Sequence, residues 1–142
     1  MKAFWENGLP VVGVITGIFI AFTPYHLAPV CTKLLELSSG AFVHMTCHWT
    51  GKTEVLLGIL IAVISLATFI MQYYGLTDRK ISGIALIALS IGGFAVPLEG
   101  VIGICRNPEM ACHTTVRALS LPLLITTITG IALIMTPFKK LK

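Results

Sequence analysis

The chain has 142 residues, 56% of them apolar and only 11% charged, with a formal net charge of +4 and a mean hydropathy of +0.91. A soluble domain carries about 25% charged residues, so this composition excludes water as the main solvent and points to lipid. The length allows one compact domain. The basic residues sit in short segments between apolar stretches, without a basic stripe and interleaved aromatics, which excludes a nucleic-acid surface.

Four apolar segments follow one another. The first runs from Leu9 to Phe22, with an extension through Pro24 toward Val30. A secretory signal is its competing reading, but Thr23-Pro24-Tyr25-His26 follows it without a small-x-small cleavage site, so it is expected to be retained. The second, Val55 to Tyr74, is uncharged and, at about 20 residues, long enough to span a bilayer core. The third spans Ile81 to Pro97 and the fourth Ala118 to Phe138. In lipid each must be helical, because an isolated strand leaves its backbone groups unpaired. Gly13-x-x-x-Gly17, and Gly92-Gly93 in the third segment, are expected to let helices approach closely.

Two short stretches between these segments nearly repeat each other. Met45-Thr46-Cys47-His48-Trp49-Thr50-Gly51-Lys52 aligns with Met110-Ala111-Cys112-His113-Thr114-Thr115-Val116-Arg117, 65 positions later. Upstream of each lies a Pro and then a Cys: Pro24 with Cys31, and Pro97 with Cys105. The expected architecture is an all-α membrane protein. Four transmembrane helices form two tandem duplicated hairpins in one polytopic domain, repeat 1 over residues 1–75 and repeat 2 over 76–142. Parallel repeats of this kind relate by an axis along the membrane normal.

Basic residues set the expected orientation. Lys2, Arg79, Lys80, Lys139, Lys140 and Lys142 fall on one side, against Lys33, Lys52, Arg106 and Arg117 on the other. Both termini are therefore placed in the cytoplasm. The two repeated loops form a Cys/His-rich extracytoplasmic cap, with all four cysteines and His26, His44, His48 and His113 at that end.

Several chemistries fit the cap. Cys31, Cys47, Cys105 and Cys112 are disulfide candidates in an oxidising compartment, and four cysteines allow three connectivities. Local closure favours Cys31–Cys47 and Cys105–Cys112, bridges that stabilise by about 2–4 kcal/mol each in the chain-entropy model. Alternatively Met45, Cys47, His48, Met110, Cys112 and His113 form two half-sites whose donors suit copper or zinc. Haem is disfavoured: the Cys-x-x-Cys-His signature is absent, and His48 and His113 precede the helices. A quinone-linked thiol–disulfide oxidoreductase needs a closely spaced active pair, which neither cysteine pair provides. Thr50 and Thr115 are candidate N-caps, and Glu54 a carboxylate complementing a helix start. His26 and Glu99, each two residues after its repeat's Pro, form an interfacial polar pair. No catalytic residues are assigned.

Pro29-Val30-Cys31, Met45-x-Cys47-His48-Trp49-Thr50-Gly51 with Glu54, and Met110-x-Cys112-His113 resemble the motifs of a family of small prokaryotic four-helix membrane proteins known chiefly as a domain of unknown function. The resemblance covers nearly the whole chain. It implies a multi-pass protein of a prokaryotic cytoplasmic membrane, with ABC-transporter or other membrane subunits as partners besides lipid and copies of itself. The functional expectation is a binding or accessory module whose disulfide-stapled loops dock a partner. Copper or zinc handling is the first alternative and thiol–disulfide exchange the second.

Overall fold

The computed structural model describes residues 2–31, 34–36, 39–75, 79–105 and 110–136. Lys33, Arg106, Lys139, Lys140 and Lys142, which enter the expected orientation, and Phe138 lie outside them.

Among the described residues four α-helices make up the bulk: α1 (Lys2–Phe22), α2 (Thr46–Tyr73), α3 (Arg79–Ala95) and α4 (Ala111–Met135). Gly8–Leu27, Thr46–Tyr73 and Ala111–Met135 are long and apolar enough to cross a membrane. At 17 residues, α3 is shorter than these. A two-stranded antiparallel pair, β1 (Leu34–Glu36) and β2 (Phe42–His44), lies between α1 and α2 with Leu35 opposite Val43. It is a small addition to an otherwise all-α chain.

Helices α2 and α4 begin earlier than the apolar segments do. The polar and charged residues from Cys47 to Glu54 and from Cys112 to Arg117 are helical too, so apolarity alone places each start too late. The N-caps are therefore Met45 and Met110, both with extended backbone and no side-chain cap. Thr50 and Thr115, expected at the caps, sit one turn inside.

Two irregular turns steer the chain toward the end of the bundle that carries the cysteines. Pro24 lacks an N–H, so α1 cannot continue regularly. Thr23–Leu27 widens into a π-helical turn, with Ala28 N–H donating to Thr23 O at 2.9 Å and Thr23 Oγ1 donating to Phe19 O at 2.7 Å. After α3, Gly103 N–H donates to Val96 O at 3.1 Å. Gly100 and Gly103 there adopt φ of +106° and +84°, a region that favours glycine.

Helix α1 packs mainly on α2 and α3 on α4, with α1–α4 and α2–α3 contacts closing the bundle. Ile20, Ile61, Leu86, Leu119, Leu123 and Leu133 form the buried core. Glycines let α1 and α2 approach closely. A Cβ on Gly58 would stand 2.5 Å from Ala21 N, and one on Gly17 2.5 Å from Ala62 N. The Gly13/Gly17 pair thus serves packing within the chain. In α3, Gly93 meets Leu123 of α4, whereas Gly92 faces open space. Thr126 Oγ1 donates to Thr16 Oγ1 at 3.0 Å, linking α4 to α1 in the interior. The opposite helix faces expose large apolar side chains such as Ile15, Leu56, Val63, Ile84 and Ile128, as lipid-facing surfaces do.

The matched pair Gly58→Ala and Gly92→Ala tests this packing. Gly58→Ala forces α1 from α2 and is expected to cost about 1–3 kcal/mol. Gly92→Ala should be neutral or stabilising by up to about 1 kcal/mol through helix propensity. Denaturant unfolding of the detergent-solubilised protein measures both.

Candidate functional site

Cys47 and Cys112 occupy the first turns of α2 and α4 and are almost wholly buried. Cys31 follows the π-helical turn and Cys105 follows the glycine turn after α3; both are half-buried. These four segments converge. The Sγ atoms of Cys31, Cys47 and Cys112 all lie within 4.8 Å of one another, and Cys105 Sγ lies 2.6 Å from Cys47 Sγ. Cys105 also interacts with Cys112. No disulfide joins any of the four in the structure.

A reciprocal arrangement holds the segments in place. Thr50 Oγ1 of α2 donates to Gly103 O, two residues before Cys105, at 2.7 Å. Thr115 Oγ1 of α4 donates to Ala28 O, three residues before Cys31, also at 2.7 Å. Each long helix thus grips the cysteine-bearing turn of the other half of the chain. The two helix starts also match in detail: His48 N–H donates to Met45 O at 3.0 Å and His113 N–H to Met110 O at 3.1 Å.

The electrostatic setting has two opposing parts. Burial pushes the Cys105 thiol above its ordinary range, while its hydrogen bond with Cys47 acts in the other direction. Against this, two uncapped helix N-termini approach the sulfurs. Their first-turn N–H groups and macrodipoles favour negative charge there.

The other expected site residues divide around this cluster. Met45 and Met110 serve as half-buried N-cap residues. The His113 ring is engaged outside the sulfurs, with Nε2 2.9 Å from Cys105 O. His48 stacks on His44 at 4.3 Å and meets Trp49 edge-on, and the Lys52 ammonium lies 5.1 Å from the Trp49 ring centroid. Among the described residues no histidine or carboxylate joins the group of Cys31, Cys47 and Cys112. His26 is exposed beside Phe22, with ring centroids 5.3 Å apart, and Glu99 is exposed in the turn after α3. The locally paired cysteines do lie in one cluster, but its shortest contact, Cys47 with Cys105, crosses between the halves.

Glu54 lies deeper than its expected capping position. It is on the inward face of α2 and only 2% exposed. The signal for this was present: once the helix starts at Thr46, Cys47, Thr50 and Glu54 share one face.

A family model described as "domain of unknown function (DUF4418)" matches residues 13–137, and the chain belongs to this family. No curated protein and no solved structure matches it.

Thr50→Val and Thr115→Val remove the reciprocal hydroxyls while keeping their shape. Each leaves a buried carbonyl without its donor and is expected to lower unfolding free energy by about 1–3 kcal/mol. Thr53→Val, whose hydroxyl bonds only its own helix at Trp49 O, should change stability far less.

Proposed function

We propose that the four cysteines form a tetrathiolate metal centre that clamps the two halves of a multi-pass membrane protein at their extracytoplasmic end. Three sulfurs within 4.8 Å of one another, with the Cys105 sulfur against that of Cys47, carry this reading. Two disulfides need only two separate pairs of sulfurs, whereas one ion needs four donors around a single point. An all-sulfur, closed, tetrahedral donor set suits zinc first and Cu(I) second. Two helix N-termini directed at the cluster suit the double negative charge of a zinc tetrathiolate. The role is structural, because a closed site keeps no position open for substrate.

In this reading the chain is a duplicated pair of hairpins in a prokaryotic cytoplasmic membrane, with both termini inside. Helix α3, continued by the turn through Gly103, serves as the fourth span. The cap, with exposed Phe42, Val43 and Trp49, acts as an accessory docking module for another membrane subunit, a transporter component being the first candidate.

The 2.6 Å contact between Cys47 and Cys105 favours a second reading, in which disulfides staple the cap. Two thiolates on one zinc stand about 3.8 Å apart, given Zn–S bonds of about 2.3 Å. Loading therefore requires these two side chains to separate by about 1 Å.

Elemental analysis and thiol counting on protein purified without chelator decide between the two. The metal centre predicts about one zinc or copper per chain, and thiols that become alkylatable once a chelator removes the ion. Replacing any of the four cysteines by Ser should abolish stoichiometric binding, whereas His48→Ala and His113→Ala should retain it. Four blocked cysteines with no metal would overturn the metal centre in favour of the disulfide staple.

A further inference from the structure

The sequence supplies no closely spaced cysteine pair, but the fold does. Cys47 Sγ lies 2.6 Å from Cys105 Sγ, although the two residues are 58 positions apart. A disulfide bond is about 2.05 Å long, so the sulfurs need approach by only about half an ångström to bond. The two differ in access: Cys47 is wholly buried and Cys105 half-buried. An outside sulfur therefore reaches Cys47 only through Cys105. Inert structural cysteines are shielded together, whereas here one member of a touching pair is open.

Both long helices fix the position of Cys105. Thr50 Oγ1 of α2 donates to Gly103 O at 2.7 Å, and His113 Nε2 of α4 donates to Cys105 O at 2.9 Å. The segment that carries the open sulfur is thus held against the start of α2, where the buried one sits.

We propose that Cys47 and Cys105 form a thiol–disulfide exchange pair, in which Cys105 meets a small aliphatic disulfide and Cys47 resolves the mixed disulfide. The inference goes beyond the metal centre and does not rest on it, since it concerns the thiols themselves. The Cys105 thiolate attacks one sulfur of the outside disulfide. A Cys105–S–S–R bond forms, the outside S–S bond breaks, and one RSH leaves with the proton that Cys105 gave up. The Cys47 thiolate then attacks Cys105 Sγ. The Cys47–Cys105 bond forms, the mixed disulfide breaks, and a second RSH leaves with the proton of Cys47. The cysteine pair loses two electrons and two protons, and the outside disulfide gains both. Contact between the sulfurs makes the second step effectively unimolecular, which favours it over attack by a free thiol. A dithiol in solution reverses both steps and readies the pair for another round. A half-buried side chain admits a slim aliphatic disulfide more readily than one set in a folded protein surface.

The test uses the full chain, reduced and treated with a chelator, in detergent at mildly alkaline pH. There a thiol that burial holds above its ordinary range is partly ionised. The probe is glutathione disulfide, read by intact mass and, after acid quenching, by peptide mapping. A chain that keeps only Cys47 and Cys105, through C31S and C112S, is compared with the same chain carrying C47S or C105S. The pair should lose two hydrogens and retain no glutathione. C47S should stop at a stable glutathione adduct on Cys105. In C105S, Cys47 should react at least about tenfold more slowly than Cys105 does, because it waits for local opening. C47A and C105A repeat the comparison and guard against an effect of a buried hydroxyl. In the native chain, early quenched samples should carry no glutathione on Cys47, which tests the order of attack without any variant. Glutathione on Cys47 of the native chain, an adduct that persists on Cys105 while Cys47 is present, or no reaction at all would overturn the exchange pair and leave the metal centre untouched. A native protein that binds no metal would overturn the metal centre without altering these results.

Discussion

Cysteines from four separate stretches of chain gather at one end of the bundle, three sulfurs within 4.8 Å of one another and the Cys105 sulfur against that of Cys47. In lipid there is little hydrophobic drive to bring one helix against another, so association relies on close packing and polar contacts. The cysteine cluster adds a link between the halves at one end of the bundle. It is placed by features that are costly elsewhere: a proline that interrupts α1, glycines with positive φ after α3, and two helix starts without side-chain caps. All three converge on the sulfurs.

The rest of the bundle follows the same economy of close contact. Glycines bring the backbones of α1 and α2 together, and hydroxyls are satisfied within their own helices or across to a neighbour. The reciprocal bonds of Thr50 and Thr115 stand out because they join the helical layer to the cysteine turns. They explain why the same threonine recurs in both copies of the repeated string. A capping role would serve one helix end; the observed role positions the neighbouring half's cysteine.

Much of this was legible in the sequence. Apolar segments mark four helices, of which three are long and apolar enough to cross a membrane, and the repeated Met-x-Cys-His-x-Thr string marks where α2 and α4 begin to converge. Apolarity alone starts α2 and α4 too late, because the mostly polar stretches Cys47 to Glu54 and Cys112 to Arg117 are helical. That error displaced Thr50, Thr115 and Glu54 together: each was assigned to a helix end when its register places it inside. The short β1–β2 pair carries no strong alternation and was not visible. Which sulfurs meet could not be read from spacing, because loop closure favours neighbours in sequence, whereas the shortest contact joins Cys47 to Cys105 across the halves. The histidines adjoin the cysteines in sequence, but a residue beside a cysteine at a helix start points to another side. His48 accordingly turns to His44 and His113 to a backbone carbonyl.

The most direct test of this convergence uses a variant that keeps only Cys47 and Cys105, with Cys31 and Cys112 replaced by Ser and a protease site inserted after Gly75. Mild oxidation in detergent followed by cleavage separates the chain into its two halves unless a bond joins them. The account predicts that the halves remain linked until a reductant is added. Halves that separate after oxidation would show that Cys47 and Cys105 do not meet, and would contradict a single cysteine centre between the two parts of the chain.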